Sequence, residues 1–318
     1  MTDRLLIGTD EAGYGPNLGP LIVVATCWTF PESVSPANLW QELADVLTDT
    51  YESGDRRLYV ADSKSVYSSG DGLESLEVPV LAFLRTLGLE CSDIEEVATA
   101  LTPADFPAQY QSEPWNCNTT LPLPTDSCRD HIAEWTGLLK HAMEDTGVRL
   151  KGVRARILFP EEFNAQVAKT DSKGSVLSSA TLTLVRELSD RYPASHTTVF
   201  CDKHGGRNRY DEVIAAHFDD QFVFRLEESR ERSRYRMGPM EFCFRTKAEA
   251  LLPVALASMI AKYLREVLMR QFNTWWQTHV PNLKPTQGYP VDAKRFRKDI
   301  ATALTHLGIP DDVLWRSR

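Results

Sequence analysis

The chain has 318 residues, 42% of them hydrophobic and 25% charged, enough to bury one large core or two small ones. No stretch approaches the roughly 20 apolar residues that span a bilayer, and the opening MTDRLLIGTDEAG carries too short an apolar run for a signal peptide. Cys27, Cys91, Cys117, Cys128, Cys201 and Cys243 lack CxxC spacing, which argues against a zinc site or a disulfide framework and points to a reducing, cytoplasmic setting.

In chain order, Arg4 to Phe30 reads as two apolar runs, LLIGTD and LIVVATCWTF, joined by the turn DEAGYGPNLGP (Asp10 to Pro20). This predicts an antiparallel strand pair with Asp10 and Glu11 at the end of the first strand. A third short run, LYVADSK (Leu58 to Lys64), closes on another acid and a lysine. From about Ser65 to Leu150 strong periodicity is lost, and Thr102 to Cys128 is rich in Pro, Asn, Thr and Ser, so residues 65–160 read as an insertion or subdomain with long loops. A helix is predicted over Ser175 to Arg191, where Val176, Ala180, Leu184 and Leu188 recur near the helical period, followed by a strand over Thr197 to Asp202 that also ends on an acid, with Gly205 and Gly206 beyond.

A helix over Tyr210 to Phe218 precedes the apolar run QFVFRL. That strand, helix, strand order predicts a parallel pair and an α/β fold with a mixed sheet. The longest helix is predicted from Pro253 to about Trp275, with proline suited to its first turn. Leu256, Ile260, Tyr263 and Val267 make its apolar face. Ser258, Lys262, Glu266 and Arg270 recur on another, which by itself reads as a solvated ladder of ion pairs.

The net charge of -9 is unevenly spread: residues 1–200 carry 15 basic and 29 acidic side chains, so -14, and residues 201–318 carry 20 and 15, so +5. The second part can therefore offer a face to a polyanion, since local field governs such binding. If RLEESRERSRYRM (Arg225 to Met237) is extended, Arg230, Arg232, Arg234 and Arg236 project from one face and could track phosphates. The alternative is a charged loop balanced by Glu227, Glu228 and Glu231. Lys294, Arg295, Arg297 and Lys298 are a second such face.

The adjacent acids carry the most specific chemistry. Two ionised carboxylates on neighbouring residues repel unless a cation neutralises them, and their hard oxygens favour magnesium or manganese. Gly13, Gly15 and Gly19 allow positive φ and close approach of a ligand to the main chain, while Pro16 disfavours helix, so the turn is not a dinucleotide-binding fingerprint. The competing reading is a tight hairpin turn with solvated acids.

Asp10, Glu11, Asp202 and Glu266 form a candidate set, and with DEAGYG (Asp10 to Gly15), DSK (Asp62 to Lys64), FCDKHGG (Phe200 to Gly206), KAEALLP (Lys247 to Pro253), LASMIAKYLRE (Leu256 to Glu266) and QGYP (Gln287 to Pro290), the chain resembles type 2 ribonuclease H, nearest its archaeal and eukaryotic catalytic-subunit branch. The resemblance covers the first 64 residues and roughly residues 196–298. It implies a single catalytic domain over residues 1–318 with a ribonuclease H-like mixed sheet flanked by helices, the 65–160 insertion within it, and a helical extension over about 271–318 contributing to substrate binding.

It further implies hydrolysis of the phosphodiester 5′ to a ribonucleotide, in RNA/DNA hybrid or in duplex DNA, leaving 5′-phosphate and 3′-hydroxyl. Two Mg2+ or Mn2+ ions would be held by Asp10, Glu11, Asp202 and Glu266, with Asp10 bridging. Gly13, Tyr14, Gly15 and Tyr289 occupy the family positions where the 2′-hydroxyl is sensed, and Lys64 is a further substrate-binding position. Two positions depart from the family pattern: Tyr14 replaces an arginine and Glu266 replaces an aspartate. With the long insertion they motivate one alternative, a nucleic-acid-binding relative with reduced or lost cleavage; a same-fold nuclease for another substrate such as branched DNA is a third reading.

Overall fold

The computed structural model describes residues 4–68, 70, 72–204, 207–219 and 221–317, so Gly205 and Gly206 lie outside the described residues. Strand β1 (Arg4–Ala12) and strand β2 (Leu21–Phe30) form the expected antiparallel pair around the glycine turn. Their side chains alternate between two cores. Leu6, Ala12, Ile22 and Val24 enter one, while Leu5, Ile7, Val23 and Ala25 enter the other. Burial on both faces is why these runs are apolar almost throughout.

Helix α1 (Leu39–Glu42), strands β3 (Leu47–Thr48) and β4 (Leu58–Tyr59), and helix α2 (Ser63–Val66) follow. Residues 65–160 are mostly helical rather than loop: α3 (Glu74–Thr86), α4 (Ile94–Leu101), α5 (Phe106–Ser112) and α6 (Arg129–Thr146) lead into β5 (Arg149–Leu158), a strand of the main sheet. The end of the Pro-, Asn-, Thr- and Ser-rich stretch Thr102 to Cys128 is gathered by one side chain. Glu77 on α3, fully buried, accepts from the amides of Thr125, Asp126 and Ser127 at 2.6, 2.8 and 2.8 Å.

Helices α7 (Pro160–Thr170) and α8 (Lys173–Arg191) bring the chain to β6 (His196–Asp202), parallel to β1. Helix α9 (Asp211–His217) then leads to the meander β7 (Phe224–Glu228), β8 (Arg232–Met237) and β9 (Met240–Arg245). The parallel partner expected for β6 from the QFVFRL run is instead β9. Strand β7 pairs antiparallel with β8 at the sheet edge, where Phe222, Phe224 and Leu226 are exposed, so apolar composition there does not signal an interior strand. The mixed seven-stranded sheet runs β5-β2-β1-β6-β9-β8-β7.

Helix α10 (Leu252–His279) crosses one face of this sheet and is buried nearly all round, as a helix in the centre of a core must be. It lies against β1 because position 8 has no side chain: a Cβ on Gly8 would fall 2.4 Å from the Pro253 carbonyl carbon. Thr26 Oγ1 donates to the Pro253 carbonyl at 2.8 Å and fixes the same contact from β2. Helices α11 (Pro290–Asp299), α12 (Ala301–Leu307) and α13 (Asp311–Leu314) complete the chain and share a third core with the end of α10, built on Phe272, Trp276, Phe296, Ile300 and Leu314 and closed by Leu18 of the glycine turn. Among the described residues, no helix is long and apolar enough to cross a membrane.

Candidate active site

Strand register brings the first acids together. Thr9 of β1 pairs with Cys201 of β6, so Asp10 and Asp202 emerge side by side at the carboxyl ends of two parallel strands. Glu11 follows Asp10. Loss of water pushes Asp10 well above the usual carboxylate range, and repulsion from Glu11 adds to it, against an opposing bond from the Ser258 hydroxyl. Burial, then the charge of Asp202, raises Glu11 to about 7, with Lys64 pulling it back. Asp202 is raised in the same way by burial, opposed by amide bonds from Ala248 and Lys203.

The fourth acid of this cluster is Glu249, which the sequence reading passed over although it lies within KAEALLP. Its carboxyl is raised by burial and by the charges of Asp202 and Asp62, and lowered by Lys64. It belongs to the short 3-10 turn Ala248–Ala250 directly after β9, and β9 pairs with β6 so that Arg245 opposes Asp202. A turn just beyond a neighbouring strand end was the available signal. Lys64 is the cation among these acids: partial burial lowers its pKa, but attraction to Asp62, Asp10, Glu249 and Glu11 outweighs this and holds it above the ordinary lysine range. Asp62 caps α2 through the Lys64 amide at 3.1 Å, which sets where that lysine starts.

The structure does not bring Glu266, the fourth metal ligand expected from the sequence, into this cluster. On α10 it is Ser258 that reaches Asp10, and Glu266 lies eight residues further on, about 12 Å along the axis at 1.5 Å per residue. Nor is Glu266 a rung of a solvated ladder. It is 4% exposed, accepting from Lys262 Nζ at 2.6 Å and Tyr67 OH at 3.2 Å, and the Gln287 amide, oriented to donate, reaches it at 3.1 Å.

A cleft of about 240 Å³ adjoins the acids, lined by Glu11, the Gly13–Pro16 turn, Ser63, Lys64, Lys262, Arg265 and Tyr289. It therefore unites all five residues expected to bind substrate. Gly13 adopts φ 89°, and a Cβ there would meet the Pro20 carbonyl oxygen at 2.5 Å and Arg265 Nε at 2.6 Å, so only glycine fits. Tyr14 is half-buried against the α8-side core, and Tyr289 stands 54% exposed at the rim. The QGYP segment is tied to the turn, since Asn17 N–H donates to the Gly288 carbonyl at 2.7 Å and buried Arg265 donates to the Gln287 carbonyl at 2.9 Å.

Acids neutralise part of each of the two basic faces. Arg232 pairs with Glu227 at 2.8 Å and Arg234 with Glu241, while Arg236 stacks on Phe224 at 5.4 Å. On α11, Arg295 pairs with Asp292 at 2.6 Å and Arg297 with Asp311 at 2.6 Å.

The donor chemistry of Asp10, Glu11, Asp202 and Glu249 fits a hard divalent cation, being all carboxylate and raised by burial and, at Asp10, Glu11 and Glu249, by mutual repulsion. Among the described residues, no three such side chains are drawn in to the spacing of a closed metal shell.

No protein-family model and no curated protein matches the chain. Solved structures do. Ribonuclease H2 from Pyrococcus horikoshii OT3 aligns over 98% of this chain and 92% of its own at 16% identity and a TM-score of 0.46. Bst-RNase HIII in complex with Mn2+ aligns over 98% and 66% at 13% identity and 0.45, and RNase HII of Archaeoglobus fulgidus, solved with PCNA, over 99% and 94% at 14% identity and 0.41. All three are ribonucleases H.

Proposed function

We propose that this chain is a metal-dependent endonuclease of the type 2 ribonuclease H kind, cutting 5′ to a ribonucleotide in RNA/DNA hybrid or ribonucleotide-containing duplex DNA and leaving 5′-phosphate and 3′-hydroxyl ends. One observation carries the reading: Asp10, Glu11, Asp202 and Glu249, from two strand ends and the turn after a third, share one electrostatic field with Lys64, and Glu11 and Lys64 line the glycine-turn cleft. The ordered motifs from DEAGYG to QGYP support it independently.

The four carboxylates would hold two divalent ions, Mg2+ or Mn2+, which when bound supply an activated water and a counter-charge for the leaving 3′ oxygen. The rest falls to the chain. Lys64 and Lys262 present ammonium groups to the phosphates, and Glu266 aims Lys262 through its 2.6 Å bond. The turn backbone and the Tyr289 ring border the space where a 2′-hydroxyl would be read. All six cysteines are free, which suits a reducing cytoplasm.

Matched duplexes carrying no, one or several ribonucleotides, with magnesium or manganese, test the reading. Cleavage of the latter two only is expected. Binding without cleavage would favour the nucleic-acid-binding alternative raised by Tyr14, and cutting of branched all-DNA substrates would favour the third.

A further inference from the structure

Arg316, just beyond α13, is a fully buried guanidinium that meets no carboxylate among the described residues. Its Nη2 donates to the carbonyls of Gly13 and Pro16, its head lies 5.0 Å from the Phe163 ring centre, and Nε and Nη1 have no hydrogen-bond partner among the described residues. The backbone is stitched in alongside. Arg316 N–H donates to the Asn17 carbonyl at 2.8 Å, Asn17 Nδ2 returns to the Arg316 carbonyl at 3.2 Å, and Leu18 bridges to Trp315. On the other side Asn164 of α7 donates to the Trp315 carbonyl at 2.8 Å and accepts from Ser317 N–H at 2.7 Å.

Burying a cation without an acid, with two idle donors, is unfavourable, and an apolar side chain would fill the same space at lower cost. What an apolar side chain cannot do is hold two carbonyls. Both belong to the turn that lines the cleft. In a trans peptide the N–H points opposite to the C=O. The Pro16–Asn17 peptide is thereby fixed at both ends, by Arg316 and by the Gly288 carbonyl, and the Tyr14 N–H is directed away from the guanidinium.

We propose that Arg316 is a positioning residue, a latch that fixes the Gly13–Pro16 turn and so aligns the ribonucleotide with the carboxylates. What the turn aligns rests on the endonuclease reading above; the latch itself rests on geometry.

The test compares Arg316→Ala and Arg316→Lys with the parent by three measurements: hydrogen exchange of the peptide spanning residues 12–18, kcat and KM on a single-ribonucleotide duplex, and recovery of both with millimolar guanidinium ion. Arg316→Ala should exchange faster in that peptide and lose kcat by about 10- to 100-fold, the scale of a misplacement near 1 Å, with guanidinium restoring much of it and Lys intermediate. Unchanged exchange in residues 12–18 would overturn the latch, as would unchanged kcat in an active enzyme. Should Arg316→Ala fail to fold, Arg316→Lys carries the same readouts. A parent that cuts no ribonucleotide duplex would defeat the endonuclease reading, and the exchange measurement would then decide the latch alone.

Discussion

Lys262 Nζ donates to the Glu266 carboxylate across 2.6 Å, one helical turn apart on α10, with the carboxylate buried and the lysine part-exposed at the cleft. Glu266 therefore has a cation of its own and orients it towards the cleft. The carboxylate that shares the field of Asp202 is Glu249.

Glu249→Gln should lower kcat by about 100-fold or more and weaken divalent metal binding, since an amide cannot supply an anionic oxygen. Glu266→Gln should leave the metal titration unchanged and act mainly on KM, by about tenfold or less, through a misdirected Lys262. Calorimetric metal titration beside steady-state kinetics separates the two. Equal loss of metal affinity in both variants would return Glu266 to the ligand set.

The metal-free protein should lose stability as pH rises from about 5 to 8. Glu11 titrates near 7 in the fold against 4.5 as a free side chain, so the folded state holds the extra proton. A raised carboxylate contributes stability that is complete below its unfolded pKa and lost as pH passes through the folded value. Melting temperature measured against pH in chelator should fall across this window. Adding magnesium, or substituting Glu11→Gln, should flatten the curve, and an unaltered slope in that variant would remove Glu11 from the cluster.

Tyr289 stands at the rim with about half its surface exposed, and α11 begins at its carbonyl, so Tyr289→Ala should alter stability by no more than about 0.5 kcal/mol. Cleavage of a single-ribonucleotide duplex should nonetheless slow by about tenfold or more, while affinity for all-DNA duplex, which rests on phosphate contacts, stays nearly constant. Parallel losses on both duplexes would make Tyr289 a packing residue.

Glu113 is a buried acid whose Oε2 lacks a partner among the described residues, and burial together with nearby Glu161 raises its pKa well above the usual range. Glu113→Gln should stabilise the fold at pH 8 by about 1 kcal/mol, with the gain shrinking towards pH 4 as the parent acid is protonated. Chemical denaturation at the two pH values measures it.

The strand pair around Asp10 was legible because apolar alternation and a glycine turn act locally, and the α8 and α10 helices because their periodicity is long. The separation of Glu266 from the other acids was not legible, for a reason intrinsic to helices. Period gives the side of α10 on which a residue lies but not its height against β1, and that height is fixed by Pro253 meeting Gly8, a tertiary contact. Strand β7 was misplaced because Phe222, Phe224 and Leu226 look like core and lie on an open edge. Residues 65–160 looked loop-like because their order comes from buried acceptors such as Glu77, which composition does not reveal.

The missing side chain at Gly8 has a consequence for how this site could fail. A methyl group there would stand 2.4 Å from the first turn of α10, where ordinary contact needs about 3.5–4 Å, so the helix would have to ride more than about 1 Å higher on the sheet. Ser258 would rise with it and drop its hold on Asp10, and the Ala248–Ala250 turn that carries Glu249 would be dragged by its connection to the same helix. Catalytic geometry tolerates about 0.5 Å of such drift. Gly8 thus works as a thickness gauge between two layers: an alanine there would leave a folded protein whose acids no longer meet, and the proposed activity would be lost through a residue outside the site.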